Sequence, residues 1–198
     1  MDDISKEEYN KQFLRYIKGQ RNQSKNYFAF SAEWIAITLT ILTLLWSFGN
    51  RIPIVSYLLL IAFVFFVNNV AVNSKIIHEI DDGDLESLDD LVPWVSLAEN
   101  TYSLGSTLVL TSFMIIFYSA LGEDIIAPSI FLLITWVMLF VYKCIRRKVN
   151  QNKPISDTSK AKKRSTSIKP LLYMIEIVFL GLLWLDFFSI INWIGPLI

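Results

Sequence analysis

Five stretches of the chain are apolar almost without interruption: Phe28–Phe48, Ile54–Val72, Leu104–Leu121, Ile125–Tyr142 and Leu171–Ile191. Each approaches the roughly 20 residues that carry a helix across a hydrocarbon core about 30 Å thick. A soluble amphipathic helix would return to polar residues every third or fourth position, and these runs do not. Alternating segments of about ten residues, the mark of a membrane β-barrel, are absent as well. The pattern predicts an all-α, polytopic membrane protein with about five transmembrane helices.

The first and second runs are joined by "GNRIP" and the third and fourth by "GEDIIAP". Turn formers and a proline at the start of each returning helix predict two tight hairpins followed by a fifth helix. The hairpins share a Thr-rich ascent, an aromatic-Ser pair, a Gly turn and a Pro. Two apolar hairpins resemble one another without any duplication, and that is the simpler account.

Charge changes the picture by giving it a direction. The 198 residues carry 18 cations and 18 carboxylates for a net charge of zero, with 54% hydrophobic residues and a mean hydropathy of +0.46. The charges are segregated. Lys and Arg fall at 6, 11, 15, 18, 21 and 25, at 75, and then ten times from Lys143 to Lys169, leaving only Arg51 for the opposite side. The positive-inside rule therefore predicts a cytoplasmic N-terminus and an outside C-terminus, "NWIGPLI". Residues 1–27 read as a basic cytoplasmic segment without the apolar core of a signal peptide, so the first span is expected to be retained. Residues 28–145 form a four-helix membrane region with an acidic connector at 73–103. A flexible basic linker spans 146–170, and 171–198 hold the fifth helix and an outer tail. The expected location is a membrane, with the plasma membrane of a prokaryote favoured.

Candidate chemistry lies in polar groups within or at the edges of the runs. A charged group at the bilayer centre costs about 2.5 kcal/mol or more and usually faces a bundle interior, so such groups mark candidate sites. Glu33 and Glu176 each lie five residues into their runs. Together with Asn69, Glu99 and, nearer the outside end, Asp186, they are candidates for a cation or proton site. Along α-helical spacing, Ala36, Thr40, Thr43 and Ser47 continue from Glu33 as a stripe suited to close helix packing or to a hydrated path. Leu39, Leu42 and Trp46 are expected on the lipid side of that helix.

Other motifs count against specific functions. "EIDDGDLESLDD" fails the calcium-loop template, because placing Gly83 at its sixth position puts His78 and Ile80 where oxygen ligands belong. With one histidine and one cysteine, Cys144, no multi-histidine or thiolate metal centre forms in one chain. No phosphate loop, nucleophile elbow or HExxH is present, so neither an enzyme nor a cofactor is expected. The basic linker lacks interleaved aromatics, which favours anionic lipid headgroups over nucleic acid. "DLESLDDLVPWVSL" has the apolar spacing of a short helix lying on the membrane or a partner. Two functions remain. One is an oligomeric channel or transporter-like unit for a small cation or proton, since five spans enclose little space alone. The other is a non-transporting anchor, accessory subunit or sensor in a membrane complex.

Overall fold

The computed structural model describes residues 2–47, 52–82, 88–122, 124–151 and 169–191. They form five helices: α1 (Asp2–Ser47), α2 (Pro53–Asp82), α3 (Leu88–Ala120), α4 (Ile126–Gln151) and α5 (Lys169–Phe187). No strand occurs among the described residues. α1, α2, α3 and α5 are each long and apolar enough to cross a membrane. The apolar part of α4, Ile126–Val141, is shorter, about 24 Å at 1.5 Å per residue. The chain is a multi-pass helical membrane protein.

Local chemistry sets the helix ends. Pro53 opens α2, where its missing N–H costs nothing. After α3, Gly122 takes a left-handed φ of 73°, which a side chain would resist. The Asp124 carboxylate accepts the Ile126 N–H at 2.9 Å and caps α4. α5 ends as Ser189 N–H turns back to the Asp186 carbonyl at 2.8 Å, with Ser189 at φ 56°.

α3 is the hub. It packs along α2 and also touches α1, α4 and α5, while α2 packs along α1. The buried face of α2 runs Val55, Leu58, Leu59, Ala62, Phe66, Asn69, Val72, Asn73 and Ile76, the three-and-four spacing of one helix side. At its middle the Phe66 ring stacks on Trp34 of α1, 5.9 Å away at 6°, and meets Tyr102 of α3 edge-on. Gly105 of α3 makes room for it, since a Cβ there would lie 2.9 Å from the Phe66 ring. By contrast, α4 turns Leu133, Ile134, Val137, Met138 and Phe140 outward. The two hairpins are thus unlike in packing.

The acidic connector at 73–103 is mostly helix. α2 continues to Asp82 and α3 begins at Leu88, with residues 83–87 outside the described set. The predicted surface helix is instead the first part of α3, and Pro93 sits within its first two turns, where it removes at most one helical bond. Leu91 and Ala98 bury against Val72 and Ile76, with Ile80, Trp94 and Val95 around them. That second core starts at Val72, the end of the second apolar run, and otherwise lies beyond the runs, so it explains why the helices outlast them. Arg21 of α1 grips Asp81 of α2 in two-pronged fashion (Nε to Oδ1 2.6 Å, Nη2 to Oδ2 2.9 Å). The end of α2 adds His78–Asp82 at 3.0 Å, and Lys75 sits 4.1 Å over the Trp94 ring. The linker expected to be flexible lies largely at 152–168, outside the described residues.

Candidate functional site: buried polar groups among the membrane helices

Two polar clusters lie inside the bundle, on different faces of α3. The first centres on Asn69, which is wholly buried. Its Oδ1 accepts from Ser31 of α1 at 2.7 Å and from Asn73 Nδ2 at 2.9 Å. Its Nδ2 donates to the Ala98 carbonyl and to Thr101 Oγ1 at 3.0 Å, both on α3. Every hydrogen-bonding position of this amide is therefore used, and one residue ties three helices together. Asn68, its neighbour, is exposed. Asn73 Oδ1 is the buried side-chain oxygen left without a partner here.

The second cluster centres on Glu176 of α5, which is 4% exposed. Trp136 of α4 donates its indole N–H to Oε2 at 2.7 Å, and Thr107 of α3 donates its hydroxyl to Oε1 at 3.4 Å. Among the described residues no cation pairs with it. Its two oxygens are held by neutral donors alone. Ten residues along α5, Asp186 accepts from the buried Tyr118 hydroxyl of α3 at 3.0 Å, about 15 Å away along the helix axis. Leu183 and Met114, both fully buried, fill the intervening layer.

The other predicted positions lie elsewhere. Glu33 is exposed on α1, so it does not share a site with the enclosed Glu176. Glu99 is exposed and accepts weakly from Gln23 Nε2 at 3.4 Å. The stripe of Ala36, Thr40, Thr43 and Ser47 faces outward, so the expected packing against another helix is not met within the chain. The hydroxyls of Thr40 and Thr43 bond their own helix at the Ala36 and Leu39 carbonyls, each at 2.8 Å, and can face lipid at little cost. The packed side of α1 carries Ser24, Ser31, Thr38 and Leu42. Leu42 is 3% exposed and belongs to the core, whereas Leu39 and Trp46 do face out.

Sequence reasoning missed Trp136, Thr107, Thr101 and Tyr118, the partners that make these clusters. The signal for Thr107 was a hydroxyl within an apolar run, whereas Thr101 lies in the connector before it and Trp136 reads as an ordinary membrane aromatic. No group of His, Cys, Asp and Glu suited to a metal occurs among the described residues. Compared with family models, curated proteins and solved structures, the chain matches none.

Proposed function

We propose that the chain is a membrane unit that moves protons or small cations, with Glu176 as its ionisable centre, and that it works as an oligomer. The observation that carries this is the burial of Glu176 inside the membrane region against two neutral donors. An ionisable group costly to bury and spared a countercharge is a functional candidate by default. Leu183 and Met114 close the layer between Glu176 and Asp186, so passage requires movement of α5 or a path shared between copies. α5 is suited to move, since it packs chiefly on α3. The charge asymmetry supports a cytoplasmic N-terminus, which puts Glu176 in the inner half of the bilayer.

The test is flux in vesicles holding the purified protein, with pH-sensitive and sodium- or potassium-sensitive dyes inside. Glu176→Gln keeps size and hydrogen bonding and deletes the charge, so it should abolish flux while leaving oligomer size unchanged. Full flux in that variant would end the proposal.

A second reading, a partner-binding module, rests on the helical projection built by α1, α2 and α3 beyond the apolar runs. Its surface exposes Arg15, Lys18, Lys25, Asp81 and Asp82. Absence of flux for protons, sodium and potassium in the native protein would favour it.

A further inference from the structure

Among the described residues Glu176 has two polar partners, and they differ in kind. The Trp136 indole N–H reaches Oε2 at 2.7 Å, and an indole nitrogen donates without accepting. The Thr107 hydroxyl reaches Oε1 at the longer distance of 3.4 Å, and a hydroxyl can turn either to donate or to accept. Neighbouring hydroxyls are committed elsewhere. Thr111, one turn further along α3 and wholly buried, bonds the Thr107 carbonyl at 2.9 Å. Thr135, next to Trp136 in the chain, bonds the Phe131 carbonyl at 2.9 Å. Backbone carbonyls are committed too, because α3, α4 and α5 each run unbroken past the site. The other titratable side chains described on these helices are Glu99, Tyr102, Tyr118, Cys144, Tyr173 and Asp186. None of them shares a hydrogen bond with Glu176.

We infer that the Glu176 site takes a proton and turns away sodium, potassium and other metal cations, with Trp136 as the fixed donor and Thr107 as the partner that reverses. The inference rests on the reading of Glu176 as the ionisable centre and names its cargo. A hard metal cation needs a shell of oxygens, which membrane transporters draw largely from the freed carbonyls of broken helices. Here the carboxylate has two oxygens, an N–H points at one of them, and the unbroken helices keep their carbonyls. A proton needs one oxygen. When it binds Oε1, an O–H bond forms there, the carboxylate loses its charge, and Oε2 goes on accepting the indole N–H. Thr107 then accepts from the new O–H and turns its own hydrogen back to its helix, as Thr101 and Thr111 already do. Both charge states keep their partners, so the group loads and unloads without stranding a buried polar atom.

The experiment is infrared difference spectroscopy of the full-length protein in nanodiscs, in pH steps and, at fixed pH, on exchange of choline for sodium or potassium. Acidification should raise a protonated-carboxyl carbonyl band in the native protein that Glu176→Gln lacks. Trp136→Phe and Thr107→Val leave the carboxyl in place, and each should shift that band. Trp136→Phe should move it to higher frequency, because the carbonyl oxygen loses a donor. These shifts assign the band even if Glu176→Gln fails to assemble. Sodium and potassium should leave the native spectrum unchanged. Absence of such a band, a band unmoved by both Trp136→Phe and Thr107→Val, or a metal-induced change that Glu176→Gln removes would overturn the inference. Sodium or potassium flux into vesicles that is lost in Glu176→Gln would overturn it while sparing the transport reading. A titrating Glu176 band in a protein that moves no ion would support the proton site and end that reading.

Discussion

Replacing Asn69 with leucine tests the central clasp most directly, because the side chains are close in size while every polar contact is lost. Asn69 makes three bonds to other helices: from Ser31 of α1, to the Ala98 carbonyl and to Thr101 of α3. Two of its partners retain alternatives. Thr101 already bonds the Leu97 and Ala98 carbonyls, and Asn73 Nδ2 still reaches the residue 69 carbonyl. For Thr101 and Asn73 the loss is therefore close to that of the bonds themselves, and the buried Ser31 hydroxyl can only add to it. Interhelical hydrogen bonds in membranes average about 0.6 kcal/mol, so three give roughly 1.8 kcal/mol, or about 20-fold in the unfolding equilibrium. The assay is reversible unfolding in mixed micelles of mild detergent and dodecyl sulfate, read by circular dichroism and by tryptophan fluorescence. Asn68→Leu is the control, since Asn68 is exposed and its loss should be neutral or stabilising. Equal stability of Asn69→Leu and Asn68→Leu would refute the claim that the amide clasps three helices.

Gly105→Ala should destabilise by about 1–3 kcal/mol in the same assay, since its Cβ meets the buried Phe66 ring at 2.9 Å; Gly181→Ala, in open space, should not. Arg21 and Asp81 lie outside the apolar runs, and the guanidinium's hydrogen bond holds the Asp81 carboxyl below its ordinary value while Arg21 is raised in turn. A depressed acid stabilises above its unfolded pKa of about 3.9 and loses that contribution as pH falls through its lower folded value. Amide protection factors in the first half of α1, which are exchange rates relative to the intrinsic rate at each pH, should therefore be flat from pH 5 to 8, and Asp81→Asn should lower them; an onset near pH 6 would contradict this. Glu33→Gln should leave single-chain stability unchanged because Glu33 is exposed. A large loss in that variant would show that Glu33 is covered in the assembly.

How much was legible depended on what lipid and sequence can distinguish. The five helices follow from apolar runs alone, because a chain in hydrocarbon must satisfy its backbone within the helix. Their lengths did not, since the burial of Val72, Ile76, Leu91 and Ala98 requires knowing which helices are neighbours. Asn69, Glu176 and Asp186 were recognisable because polar groups in a span need partners, and each has them. The placing of Leu42 on the lipid side of α1, where it is in fact buried, has a specific cause. Small and hydroxyl residues follow two lines on that helix, Ser24–Ser31–Thr38 and Ala36–Thr40–Thr43–Ser47, and lipid is as apolar as a helix interface. Spacing alone gives no reason to prefer the first. The preference came from Asn69, which lies opposite Ser31.

The helices that outlast the bilayer give the molecule a lever. α3 runs sixteen residues from Leu88 before its apolar run begins at Leu104, about 24 Å of rigid rod. On that same rod, Thr101 is tied to α2 through Asn69 and Thr107 is tied to α5 through Glu176. A tilt of about 10° about the membrane segment would sweep the far end sideways by roughly 4 Å, enough to move one side chain past the next. Because α2 is stitched to α3 along this length and to α1 through Arg21 and Asp81, the three would swing as one arm. An event at a single carboxyl group inside the bilayer thus has a mechanical outlet on the surface of the membrane.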